Sequence, residues 1–139
     1  MGEGGSGRAA APERTSQTFG AQPAELSRIR QFLEARGREV GLPDRVVDDL
    51  QIAVLEACVN VIRHTPSSRL DIFWQTESDR IVVSVRDQGV YRASSPKVVA
   101  QEEAGFGMAL MSALMDEVDI LPGTRANPGT IVRLARRRG

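Results

Sequence analysis

Apolar residues recur along the chain with two different periods, and the change between them marks out the elements. After Pro23, a residue suited to a helix's first turn, Leu26, Ile29, Phe32 and Leu33 fall at helical spacing until Gly37. That spacing predicts a first helix. Pro43 and Asp44 open a second and longer one through Val46, Leu50, Ile52, Leu55, Val59 and Ile62, which ends near His64 ahead of Pro66. The period then drops to two. Leu70, Ile72 and Trp74 alternate with Asp71, Phe73 and Gln75, the polar turn ESDR follows, and the run IVVSV from Ile81 completes an antiparallel hairpin.

Beyond Gly105-Phe106-Gly107, the residues Leu110, Met111, Leu114, Met115 and Val118 predict a third helix. Residues 118–121 and 130–135 read as two strands joined by the turn PGTRANPG. Helices and hairpins without strict βαβ alternation give an α+β fold, a two-layer α/β sandwich with helices on one face of a mixed, mostly antiparallel sheet. Residues 1–17, rich in Gly, Ala and Ser, offer too little apolar surface to offset the entropy of ordering, so a flexible tail is expected there and a single domain over 18–139.

Composition narrows the function classes. The 139 residues suffice for one domain core, and the 18 basic and 18 acidic side chains cancel, so no net field draws the molecule to nucleic acid or an anionic membrane. Arg136 to Arg138 form a terminal basic cluster that suits solvating an end better than reading a duplex. One cysteine, Cys58, excludes an internal disulfide framework. No 18-residue apolar run or secretory leader pattern is present, so a cytoplasmic location is expected.

Candidate chemistry sits at four places. In the second helix Glu56, Asn60 and His64 share one line, with Asp49 and Ala53 a turn or so earlier, on a helix that is otherwise largely apolar. Such a stripe is either the solvated side or the wall of a polar cavity, where a carboxylate acts as a base and an amide oxygen ligates a hard cation such as Mg²⁺. Period-two parity puts Asp87, in VSVRDQG, on the face of Ile81, Val83 and Val85. It either turns the chain with Gly89 or accepts a ligand's exocyclic amine, Gly89 then allowing close backbone approach. Gly105 and Gly107 before a helix suit a phosphate or a flexible turn. Gly129-Thr130, a turn followed by a β-branched strand residue, is the fourth.

The order of these pieces, E-x-x-x-N on a helix, a strand ending in D-x-G, G-x-G opening a helix and G-T opening a strand, resembles the GHKL superfamily of ATP-binding domains. Within it AQPAELSRIR, DLQIAVLEACVNVIRH and GFGMALMSALMDEV resemble the anti-sigma-factor serine/threonine-protein kinases. The resemblance implies a Bergerat-type ATP-binding fold. It implies Glu56 as the base taking a proton from a protein serine, and Asn60 binding the Mg²⁺ that bridges the ATP phosphates. Asp87 would accept from the adenine amine with help from Thr130, Gly89 would shape that pocket, and Gly105 and Gly107 would cradle phosphates. Arg30 matches an arginine that such kinases use against protein partners, although its spacing also fits a solvated charge.

The function so implied is partner switching: binding a sigma factor and using Mg-ATP to phosphorylate a serine on an anti-anti-sigma antagonist, in a homodimer, with no direct nucleic-acid or membrane partner. The chain departs from the family pattern at Tyr91, where a second glycine usually follows D-x-G, and its segment between Gly89 and Gly105 is short. Those departures motivate the alternative of a nucleotide-binding module, catalytically weak or inactive, that regulates by protein sequestration only. A histidine-kinase reading lacks a phosphoacceptor, because the single histidine, His64, lies in the second helix itself.

Overall fold

A computed structural model describes residues 13–65, 67–87, 107–123, 126 and 129–139. The elements are β1 (Glu13–Gly20), a 3-10 turn (Pro23–Glu25), α1 (Leu26–Glu39), α2 (Asp44–His64), β2 (Arg69–Thr76), β3 (Arg80–Asp87), α3 (107–114), β4 (Glu117–Leu121) and β5 (Ile131–Arg137). The strands form one sheet in the order β1-β2-β3-β5-β4, and every pairing described is antiparallel.

The two hydrophobic periods place the core. In β2 the inward set Leu70, Ile72 and Trp74 is buried, while Phe73 points the other way and stays 40% exposed. Opposite them in register lie Asp87, Val85 and Val83 of β3, so one sheet face is apolar as the alternation predicts. Ile29 and Leu33 of α1, Leu50, Val54, Cys58 and Val61 of α2, and Met111 beside Met115 pack into the same cluster as Leu134 of β5. This is the expected α+β sandwich, with its helices on one face of the sheet.

Three expectations change. A flexible tail is expected through residue 17, but β1 begins at Glu13 and pairs residue by residue with β2. Hydropathy misses such a strand because its polar residues contribute backbone hydrogen bonds, and one buried side chain, Phe19, anchors it. Residues 1–12 lie outside the described residues. The first helix does not stop at Gly37. It runs to Glu39, and Gly41 ends it, with φ +73°. Leu42 N–H donates to the Gly37 carbonyl at 3.0 Å and Gly41 N–H to that of Arg38 at 3.1 Å, the two bonds of a Schellman cap.

Gly37 is instead a packing notch, since a Cβ there would stand 2.7 Å from Val47 Cγ2 and hold α1 off α2. The third change concerns the basic end. Arg136 shares the parity of Leu134 and its guanidinium reaches Asp49 of α2 at 3.0 Å. Arg138 donates to the carbonyls of Glu77 at 3.0 Å and Val40 at 3.1 Å. The cluster expected to solvate an end ties β5 to α2, to the β2–β3 turn and to the end of α1.

Candidate functional site

Helix α2 presents the first part of the site because it is less enclosed than its composition suggests. Its buried residues, Val46, Leu50, Ala53, Val54, Ala57, Cys58 and Val61, keep the three-and-four spacing of a single face. Ile52 is exposed, while Glu56 and Asn60, one turn apart, are half-buried at the edge of that face. Of the expected polar line, Ala53 belongs to the core, and Asp49 is held by Arg136. Glu56 and Asn60 therefore stand as the polar pair bordering the packed side of α2.

Helix α3 brings Gly107 against Glu56. Gly107 is buried, and a Cβ on it would lie 2.7 Å from Glu56 Oε2 and 3.1 Å from Glu56 Cγ. The carboxylate of α2 and the described beginning of α3 are thus in contact. Asn60 follows Glu56 along α2 by one turn, so its amide projects on the same side.

The end of β3 supplies the second part. Asp87 keeps the inward parity of Val83 and Val85 and is only 4% exposed. A carboxylate so placed requires polar partners, because burial without them costs several kcal/mol, roughly 2–7 for a neutral group and more for a charge. Thr130 provides a reciprocal pair: Asp87 N–H donates to the Thr130 carbonyl at 3.1 Å, and Thr130 N–H donates to Asp87 Oδ2 at 3.2 Å. Gly129 makes this approach possible. Its φ is +108°, and a Cβ there would collide with the Asp87 carbonyl oxygen and sit 3.4 Å from Oδ1. The G-T step is thus the one that grips Asp87.

Gly89, Gly105, Tyr91 and the segment between the two glycines lie outside the described residues. Arg30 is exposed on α1, and its carbonyl accepts from Gln51 Nε2 of α2 at 3.1 Å, so its guanidinium faces away from the core.

Among the described residues no group of three or more His, Cys, Asp or Glu could hold a metal. The amide oxygen of Asn60 suits a hard cation whose remaining ligands come from phosphates and water, as Mg²⁺ prefers. The buried acceptor Asp87 fits the base end of a nucleotide.

Cys58, two residues beyond Glu56, points the other way into the core, and burial pushes its thiol up to about 12. The nucleophilic form is the thiolate, so a neutral-pH alkylating reagent should leave Cys58 unmodified in the folded protein and react fully once denaturant exposes it. Alkylation at the rate of a free thiol in native buffer, followed by mass spectrometry, would contradict that burial. No helix among the described residues is long and apolar enough to cross a membrane.

Comparison with known proteins agrees with this arrangement. Residues 19–136 match the model of the histidine kinase-like ATPase domain family. The serine-protein kinase RsbW of Bacillus subtilis is 31% identical over 116 residues, covering 72% of this chain and 72% of its own length. RsbW of Bacillus velezensis is 28% identical over 132 residues, covering 84% of this chain and 80% of its own. Among solved structures, that of the RsbU and RsbW domains of a Mycobacterium tuberculosis protein superposes with a TM-score of 0.68 at 19% identity. It covers 90% of this chain, which spans 32% of that longer one, and the likeness concerns the fold. With a family match running from within β1 to within β5, and serine-protein kinases among its relatives, the chain belongs to the histidine kinase-like ATPase domain family.

Proposed function

We propose that the protein is a partner-switching anti-sigma factor that binds a sigma factor and phosphorylates a serine of an anti-anti-sigma antagonist with Mg-ATP. The observations that carry this reading are the pairing of a half-buried carboxylate, Glu56, with the glycine at the described beginning of α3, and a second carboxylate, Asp87, buried and gripped by Thr130. The RsbW relatives, named as serine-protein kinases, supply the substrate class.

Each residue has a role that its chemistry permits. Glu56 accepts the proton of the serine hydroxyl as its oxygen attacks, and Asn60 offers an amide oxygen to the cation. Asp87, oriented by Thr130, accepts a hydrogen bond from the adenine amine, with Gly89 shaping the pocket. Gly105 and Gly107 give backbone access to the phosphates, and Arg30, exposed on α1, contacts the protein partner. Mg-ATP when bound supplies the transferable phosphoryl group and the cation that neutralises its charge.

The phosphoserine adds about −1.5 to −2 charge, which disfavours the antagonist's complex and leaves the regulator to its sigma factor. The working form is a cytoplasmic homodimer without a direct nucleic-acid or membrane partner. Incubation with labelled ATP, Mg²⁺ and antagonist proteins encoded near this gene should label one antagonist on serine and weaken its complex. Clear ATP binding with no antagonist labelled would remove the kinase half and leave sequestration alone.

A further inference from the structure

The described glycines differ in what their missing side chains spare. At Gly37 the space is taken by a methyl of Val47 on the neighbouring helix, and at Gly129 by the backbone of Asp87. At Gly107 the three nearest atoms all belong to Glu56: Oε2 at 2.7 Å, Cγ at 3.1 Å and Cδ at 3.3 Å. The first of these distances is too short for a Cβ to coexist with the carboxylate where it stands. Oε2 is also the far end of a flexible side chain. A methyl group at 107 would therefore shift the carboxylate and leave the fold in place.

We infer that Gly107 is a positioning residue for Glu56: its missing Cβ is the space in which the carboxylate rests, so glycine at 107 fixes where the base sits. This role rests on the phosphotransfer reading and is additional to backbone contact with phosphates. It follows from the geometry of proton transfer. A general base works within about 2.6–3.2 Å of the proton's oxygen. A misplacement of about 1 Å in a catalytic group lowers the rate roughly 100-fold. Glu56 reaches its place from α2, whose opposite face is fixed in the core, so its backbone cannot follow the displaced carboxylate.

The test is a double-mutant cycle on the full chain. Gly107→Ala is expected to lower antagonist phosphorylation about 100-fold, and ATP affinity far less. In a Glu56→Ala background no atom beyond Cβ remains to occupy the space in front of residue 107. There the same substitution should change the residual transfer less than about threefold, well short of additivity. Equal losses in both backgrounds, or a fall in ATP affinity that accounts for the whole loss, would overturn the inference and return Gly107 to a purely phosphate-facing role.

A readout independent of turnover is the side-chain carboxyl ¹³C resonance of Glu56. Its chemical shift should move in Gly107→Ala, and an unmoved resonance would equally overturn the inference. The underlying kinase reading fails differently, by the unsubstituted protein labelling no antagonist while the Glu56 resonance still responds to Gly107→Ala.

Discussion

Glu56→Ala should lower phosphorylation of the antagonist by about 100- to 10,000-fold, the range that positioned general bases contribute, while ATP still binds. The substitution separates chemistry from stability because of where Glu56 lies. Its side chain is half-buried at the margin of α2, outside the core cluster that holds the helix. Truncation leaves the buried face from Val46 to Val61 intact, and alanine is the strongest helix former, so the thermal midpoint should hold or rise slightly. Removing the carboxylate also opens the space in front of Gly107. Initial transfer rates and an ATP titration on the same preparation make the comparison. A variant that phosphorylates at the parent rate would take Glu56 out of the base role, whatever its affinity for nucleotide.

The second large effect is expected at Gly129, and it falls on folding as well as on the adenine end of the site. Alanine there meets two penalties. A φ of +108° is strained for any residue with a Cβ, about 1–3 kcal/mol, and overpacking against a rigid neighbour costs about 1–3 kcal/mol more. The neighbour is the Asp87 carbonyl, which cannot rotate away as a side chain can. We therefore expect Gly129→Ala to destabilise the protein by roughly 4 kcal/mol in urea unfolding. The same movement would part Thr130 N–H from Asp87 Oδ2 and weaken ATP binding. Gly41→Ala is the control, because Gly41 has φ +73° but nothing within 4 Å, so only the conformational penalty of about 1–2 kcal/mol remains. Equal losses at the two positions would mean that the approach to Asp87 contributes nothing.

What could be read from the sequence, and what could not, divides along physical lines. The hairpin β2–β3 and the helix α2 were legible because one apolar face each writes a clear period, and Asp87 followed from strand parity alone. β1 was not, since seven of its eight residues are polar or glycine, and backbone pairing leaves no trace in hydropathy. The end of α1 was misjudged at Gly37 because a helix-stopping glycine and a helix-packing glycine are the same letter. Only the partner, Val47 on the neighbouring helix, distinguishes them. Val118 was assigned to both the third helix and the following strand, and it lies in β4, α3 having ended at residue 114. At the site, residue types and order announced Glu56, Asn60 and Asp87. The link from Asp87 to Thr130 came only through the family resemblance, and the packing of Gly107 on Glu56 and of Gly129 on the Asp87 backbone, contacts between distant segments, leaves no mark in the residue pattern.

The placement of β1 bears on how the chain emerges during synthesis. Glu13 must find Thr76, and Gly20 must find Arg69, with both long helices lying between them in the chain. At roughly 5–20 residues per second of translation, the strand leaves the ribosome seconds before its partner exists. Through that interval its amides bond to water, and stretches of high β-propensity, high hydrophobicity and low charge are the ones that associate wrongly. The spelling ERTSQTFG, with Phe19 its buried side chain, lacks such a stretch. The polarity that concealed the strand from hydropathy is what lets a nascent chain carry it safely until β2 arrives.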